Sequence, residues 1–440
     1  MPSSQPHHQF SLLKQRRFAG LFWVQFLGAF NDNLFKNALM VLVIYKSLSL
    51  GNLSAPEVVN VATGLFILPY LLFSGFGGQL ADKFEKSILI RYVKLLEVFI
   101  MCCAAVGLLL ESVSIMLLVL FLLGIQATLF GPVKYSFLPQ NLAEQELIGG
   151  NGLVEMGTFV AILLGTILGS ILIVMPHGAL WVTFSLLAMA VFAYVVSYCL
   201  PISPANDPTL RLDWNIGRQI VQTMGYARRD HLVFLAIVGI SWFWLYGAFI
   251  LTQLPEYVKN TLGGSSYVNT LLLAVFSIGI GVGSVLCEKF SKKRLELGLV
   301  PFGSLGITLF GIFIYIFSPA PIVREHLIDI NTFLHMPHAI ALLICFAGIS
   351  VFAGFYTVPL YALIQSRSAT AYSSRIIAAN NILNAIFIIA SAILGIIFLS
   401  LHLTISQMIL IISLLNAMVA IYIYVKAPEF LQSFISWLRE

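Results

Sequence analysis

Charged side chains are what this sequence has least of. Asp, Glu, Lys and Arg make up 10% of the 440 residues and hydrophobic residues 59%, against roughly 25% and 45–50% in soluble proteins. So few charges cannot cover a water-facing surface, which excludes a set of soluble domains. Cysteine is scarce too: the five (Cys102, Cys103, Cys199, Cys287 and Cys345) lie in or at the ends of apolar segments. None has metal-ligand spacing, and no disulfide framework is expected. The formal net charge is +5, but the basic residues are scattered between apolar blocks rather than gathered in a phosphate-tracking stripe, so nucleic acid is not an expected partner. No nucleophile with a placed base, metal cluster or phosphate-binding glycine loop stands out, and the chain reads as a non-enzyme without cofactor. No small-residue cleavage site follows the first apolar run, so no cleaved signal peptide is expected.

What is abundant is apolar length. A bilayer core about 30 Å thick takes about 20 helical residues to cross, and twelve apolar blocks are long enough. They lie near 18–47, 57–80, 88–110, 113–137, 150–174, 178–200, 231–255, 266–287, 296–317, 338–364, 375–399 and 403–425. The longest loop, Pro201 to Asp230, falls between the sixth and seventh. The expectation is an all-α polytopic membrane protein with twelve transmembrane helices in two pseudo-symmetric six-helix bundles. Residues 1–200 form the first bundle, 201–230 a linker, and 231–440 the second bundle with a short tail.

Charge placement supports this count. Of the 24 Lys and Arg residues, Lys36, Lys46 and Lys94 lie in or near helices, Lys259 and Arg324 fall on one side, and the remaining nineteen on the other. The positive-inside rule makes that richer side cytoplasmic, with both termini. Within the linker, Trp214, Ile216, Ile220, Val221 and Met224 interleave with Arg218, Gln219, Arg228 and Arg229, as in an amphipathic helix lying on the membrane face. Phe430, Leu431, Phe434, Ile435 and Leu438 repeat the spacing in the tail.

The halves share a short repeat. Gly77 to Lys86 (GGQLADKFEK) follows the second block and Gly283 to Lys292 (GSVLCEKFSK) the eighth. A small residue, an acid, Lys-Phe and a second Lys recur at equivalent positions, which implies two related halves. Small residues let helices approach closely, and a carboxylate at a helix end can face another helix's positive N-terminus. Gly78, Asp82, Lys83, Glu288 and Lys289 are therefore candidate gating residues.

The segment Gly78-Gln79-Leu80-Ala81-Asp82-Lys83 resembles the signature loop of the major facilitator superfamily, with Lys83 in place of the usual Arg and Glu85 where a second Gly is common. Phe26-Leu27-Gly28-Ala29-Phe30-Asn31-Asp32-Asn33, Gly131 to Tyr135, Asn151 to Glu155 and Val358 to Gln365 make the chain similar to the bacterial lysophospholipid transporter family. That resemblance implies a lysophospholipid substrate, a bacterial inner-membrane location and a link to an acyltransferase. No His-x4-Asp motif is present, and the chain as read closes at Glu440 without such a domain. The seventh helix also lacks an Arg that some members carry, so Gln253 or Tyr246 would make that headgroup contact.

Intramembrane charge costs roughly 2.5–3.5 kcal/mol per group at a helix centre, and marks candidate functional residues. The first half has Asp32, Lys36, Lys94, Glu97, Lys134 and Glu155; the second has neutral Gln253, Asn269, Thr357, Asn380, Asn381 and Asn384. That asymmetry suits an amphiphile, with a polar wall for its head and an apolar one for its chain. Asp32, near the bilayer middle and among Asn31, Asn33 and Asn37, would meet an ammonium group or take up a proton. Lys36, four residues on, is within pairing reach. Gly131-Pro132 should bend or end the fourth helix, leaving Lys134 to hold a phosphate. Glu155 opens the fifth helix, and Asn384 is its counterpart in the eleventh. Lys94 and Glu97 read as a structural pair. The reading is a secondary transporter of lysophospholipids, working as a monomer among membrane lipids; the alternative is proton-coupled efflux of drugs or a siderophore.

Overall fold

The computed structural model describes residues 9–321 and 326–439. Arg324 lies outside them. A bilayer core offers backbone groups no water, and helices satisfy them internally. Among the described residues the regular structure is helical, with isolated bridges joining Leu50 to Leu53 and Gly264 to Ile328. The helices are α1 (Arg16–Tyr45), α2 (Ala55–Lys83), α3 (Lys86–Leu109), α4 (Val113–Asn141), α5 (Leu147–Val174), α6 (Gly178–Ser197), α7 (Ile216–Ala227), α8 (His231–Glu256), α9 (Ser266–Phe290), α10 (Leu299–Phe317), α11 (Ile330–Leu334), α12 (Ala339–Arg367), α13 (Ser373–Ser400), α14 (Ile405–Lys426) and α15 (Glu429–Arg439).

Each expected span has its helix: α1–α6, α8–α10 and α12–α14. Eleven of these are long and apolar enough to cross a membrane. The twelfth, α1, has 30 residues, but Gln25, Asn31, Asp32, Asn33 and Asn37 lower its hydropathy. Capping residues set several starts. The Glu57 carboxylate accepts from the Ser54 backbone NH and hydroxyl ahead of α2, and Glu85 accepts from the NH groups of Ser87 and Ile88 at the head of α3, each satisfying donors a helix start leaves open.

Of the two outcomes expected at Gly131-Pro132, a bend or an end, the structure excludes the end: α4 continues through Pro132 and Pro139 to Asn141. Proline removes one donor, the one that would serve the carbonyl four residues back, and neighbouring helices tolerate that loss inside a membrane. The carbonyl concerned belongs to Thr128, and it faces Gly77 of α2, where an added Cβ would sit 2.7 Å from it. The repeat has a matching contact: Gly283 of α9 presses still more tightly against the Val351 carbonyl of α12. In each half, the glycine of the second span meets a backbone carbonyl of the fourth. Glycines 165 and 169 of α5 likewise press against the carbonyls of Phe30 and Leu34 in α1.

By its contacts the chain divides into two compact units, residues 1–230 with 365–385, and residues 231–364 with 386–440. The linker thus belongs with the first unit, as do the last turn of α12 and the first half of α13. The first unit's core gathers Leu34, Phe35, Ala38 and Leu39 of α1, Ile100 and Met101 of α3, and Leu120 and Leu123 of α4. The helix expected in the linker is α7, started by the Asn215 side chain, which accepts from the Arg218 NH. It lies on α2 through Gln219 and Thr223 at Gly75, leaving Val221 and Trp214 exposed. In the second unit α15 buries Phe430 beside Tyr424, the Trp437 indole donates to the Phe290 carbonyl at 3.0 Å, and Ile435 and Leu438 stay exposed.

Candidate functional site

The ionisable residues of the first half's helices form one connected band. At its centre the Lys94 ammonium meets Glu97 Oε2 at 2.6 Å, both side chains 1% exposed. Gln126 Nε2 donates to the same oxygen at 3.0 Å, and Asn31 Nδ2 to Oε1 at 3.4 Å and to the Leu186 carbonyl at 3.2 Å. The Lys94 ammonium also lies 4.6 Å from the centre of the Phe130 ring. It has room because residue 28 is glycine: a Cβ there would sit 2.5 Å from Lys94 Nζ. A buried ion pair needs its remaining lone pairs and protons satisfied; Gln126 and Asn31 do this for the Glu97 carboxylate, and the Phe130 ring faces the Lys94 ammonium.

Asp32 lies within electrostatic reach of Glu97, Lys94 and Lys36, and Tyr70 of α2 senses its charge as well. Its Oδ1 is buried without a hydrogen-bond partner. Among the described residues Asp32 and Lys36 do not come within the 4.0 Å of an ion pair; the Lys36 ammonium lies 5.8 Å from the Phe66 ring centre instead. The asparagines around Asp32 turn away. Asn33 donates to the Ala29 carbonyl, and Asn37 to the Asn33 carbonyl and to Thr166 Oγ1.

At the other end of the band, Lys134 interacts electrostatically with Glu155 and with Lys94, and its ammonium is 4.4 Å from the Tyr135 ring centre. Glu155 is buried and its Oε1 has no hydrogen-bond partner. Three carboxylates and three ammoniums therefore run from Asp32 and Lys36 through Lys94 and Glu97 to Lys134 and Glu155. Buried polar atoms are ordinarily hydrogen-bonded, so unpartnered oxygens on Asp32, Asn31 and Glu155 mark this band as one able to take a polar guest. Asn380, in the same unit, is buried with neither side-chain polar atom bonded. Asn384 is also buried.

The second unit is built differently. The Trp242 indole donates to Asn416 Oδ1 at 2.8 Å, and Asn416 donates to the Ser304 carbonyl and to Thr308. Tyr246 is buried, its hydroxyl bonded to Ser413 at 3.1 Å, so that group is already engaged. Gln253 is buried opposite Gly395. Phe249 packs edge-on to Phe398. Among the described residues no His, Cys, Asp and Glu group could hold a metal.

The candidate gating residues fall into two sets. Asp82 is wholly buried at the end of α2. Its Oδ1 accepts from the Ser374 NH at 3.1 Å and Asn206 Nδ2 at 2.7 Å, and its Oδ2 from the Arg375 NH at 3.3 Å and Arg375 Nε at 2.9 Å. The carboxylate thus sits on the open first turn of α13, where backbone donors and the helix dipole favour negative charge. Gly78 lets α2 approach: a Cβ there would meet Ala378 at 2.8 Å and Arg375 Cα at 3.0 Å. Lys83 is half-buried, its ammonium near the Phe84 ring. In the second unit Glu288 is buried at the end of α9 and Lys289 is exposed.

Sequence reading missed the partners of Asp82. In the sequence Arg375 is one of nineteen scattered basic residues and Asn206 lies in the 201–230 linker, and neither position points to Asp82. Asn206 also receives Lys86 Nζ at 3.0 Å and Gln140 Nε2 at 2.7 Å on Oδ1, and Tyr226 of α7 accepts from Arg375 at 3.2 Å. Nearby, burial works to raise the Glu85 carboxyl, but donors from Ser203, Ser87 and Ile88 outweigh it and hold it below the ordinary glutamate value.

Comparison with known proteins fits this architecture. Residues 21–392 match the sequence profile of the Major Facilitator Superfamily. The lysophospholipid transporter LplT of Serratia proteamaculans is 28% identical over 369 residues, covering 81% of this chain and 82% of that one. The Escherichia coli protein of the same name is 29% identical over 375 residues, covering 83% and 84%. Among solved structures, the E. coli fucose:proton symporter FucP aligns with a TM-score of 0.69 at 12% identity, covering 93% of this chain and 98% of that one. The human organic anion transporter MFSD10 aligns at 0.70 and 13%, covering 93% and 99%. At such identities these last two bear on the fold alone.

Proposed function

The chain belongs to the major facilitator superfamily, and from that premise we propose that this secondary transporter carries lysophospholipids. The relatives that bear that name align along most of its length. The observation that carries the reading is the one-sided placement of charge. The first unit holds a balanced band of three carboxylates and three ammoniums with unpartnered oxygens at Asp32 and Glu155, whereas the second unit's helix interiors are apolar or neutral. A zwitterionic headgroup matches such a band, with its ammonium at Asp32, whose charge Lys36 tunes, and at the unpartnered Asn31 Oδ1, and its phosphate at Lys134, beside Glu155 and Asn384. Apolar side chains such as Phe249 take the acyl chain, with Tyr246 and Gln253 on the same helix.

The cycle is alternating access, in which Gly78, Asp82 and Lys83, and their counterparts Glu288 and Lys289, close the cytoplasmic ends. Transport runs from the outer to the inner leaflet of a bacterial inner membrane, with both termini cytoplasmic, and delivers substrate to a separate acyltransferase. The protein works as a monomer. A second reading, proton-coupled efflux of drugs or a siderophore, draws on the unpartnered Asp32 Oδ1 as a protonation site.

Equilibrium binding to the purified protein separates the two. Labelled lysophosphatidylethanolamine should bind saturably, and Asp32→Asn should weaken it about tenfold or more, since hydrogen bonds to charged groups contribute about 1.5–3 kcal/mol. Absence of saturable binding by folded wild-type protein would contradict the lysolipid reading.

A further inference from the structure

A second basic cluster gathers at the ends of α1, α3 and α6 in the first unit. Arg16 and Arg17 open α1, Arg91 lies near the start of α3, and the end of α6 brings Tyr198 beside them. A cleft of about 610 Å³ is lined by these four with Leu200 and Ile202. The three guanidiniums are not equivalent. Arg17 is consumed by a two-pronged pair with Glu146, at 2.7 and 2.6 Å. Arg16 makes one bond, from Nε to the Cys199 carbonyl at 3.1 Å. Arg91 stacks 4.9 Å from the Tyr198 ring centre, and its Nε is buried without a partner. Among the described residues no carboxylate comes within 4.0 Å of Arg16 or Arg91. Two forked cations without anions at the end of a membrane helix are a phosphate-binding arrangement.

The same helix supplies an apolar continuation. A trough of about 410 Å³ runs along α6, lined by Phe184, Leu187, Ala188, Val191, Phe192 and Val195. Val195 is one turn from Tyr198. From Phe184 to Val195 the helix rises roughly 16 Å, about half of a 30 Å hydrocarbon core and so the depth of one leaflet. Phe184 and Phe192 are 69% and 54% exposed, which faces the trough away from the unit's core. Tyr198 shares a hydrogen bond with Tyr194, the amphipathic ring pairing typical of a membrane interface.

We propose that this cleft and trough hold one anionic glycerophospholipid of the bilayer, its phosphate on Arg16 and Arg91 and one acyl chain along α6. The cleft and trough share no lining residue with the band, and the lipid's binding does not depend on what that band carries.

Native mass spectrometry and thermal melting of delipidated protein in detergent test it. Phosphatidylglycerol should bind as one copy per chain and raise the melting temperature, and phosphatidylethanolamine should do so less. Arg16→Gln with Arg91→Gln should weaken phosphatidylglycerol binding about tenfold or more while melting without lipid stays unchanged. Phe192→Asp, at an exposed position, should weaken it too by placing a charge in the trough, and decides the matter should the double variant melt lower by itself. Undiminished phosphatidylglycerol binding by the folded variants would overturn the proposal. So would equal stabilisation by phosphatidylethanolamine, or the same shift from inorganic phosphate alone.

Discussion

At the residue scale, the two kinds of charge in the first unit should respond differently to mutation. Glu97 is a structural anion: Lys94, Gln126 and Asn31 all point at it. Glu97→Ala leaves a buried ammonium uncompensated, a change of about 3–5 kcal/mol, so the purified variant should melt well below wild type. Lys94→Met combined with Glu97→Met should recover much of that loss, and a double variant no more stable than Glu97→Ala would contradict the pairing. Asp32 and Lys134 are not locked in this way. Asp32→Asn and Lys134→Ala should leave melting nearly unchanged and alter transport of zwitterionic and anionic lysolipids unequally, since each removes one sign of charge. Equal losses on both substrates would argue against direct headgroup contact. These residues were legible in the sequence because charge inside a membrane helix has few explanations. Their partners were not: Gln126, Tyr70 and Asn206 are ordinary polar residues until folding brings other helices to them. Sequence spacing also overstated the tie between Asp32 and Lys36, because a four-residue separation shows reach along one helix and nothing about competing neighbours.

At the element scale, the tie between α2 and α13 is the feature on which the proposed gating rests. Asp82 satisfies two backbone donors of α13 and one guanidinium nitrogen, and Gly78 provides the clearance. In a cysteine-free background, Ser374→Cys should be nearly unreactive to a soluble thiol reagent because residue 374 is wholly buried. Adding Asp82→Ala should speed its labelling about tenfold or more, the effect of losing charge-assisted bonds of about 1.5 kcal/mol. Unchanged labelling would reduce the motif to a fold marker. The repeat showed that an acid belonged at a helix end, but not which helix it would face. Helix spans were legible because length and hydropathy define them. The close approach of Gly77 to the Thr128 carbonyl beneath Pro132 was not, since it joins two helices.

At the scale of the whole molecule, the count of spans and the resemblance to the superfamily came directly from apolar block length and a few short segments. The regrouping of residues 365–385 with the first unit came from contacts alone. The proposed orientation rests on the basic residues, and membrane-impermeant labelling tests it. Ser203 is buried and bonded to Glu85, so exposed Thr209 and Asn331 are the better sites. Asn331→Cys should label on intact cells and Thr209→Cys only after permeabilisation; the reverse pattern would invert the topology. The central claim is that lysolipid is the cargo, and flux of labelled lysophosphatidylethanolamine in proteoliposomes tests it most directly, measured with and without a proton gradient. The account predicts flux that persists without the gradient and falls at least about tenfold in Asp32→Asn. Folded wild-type protein that moves no lysolipid under either condition would contradict it.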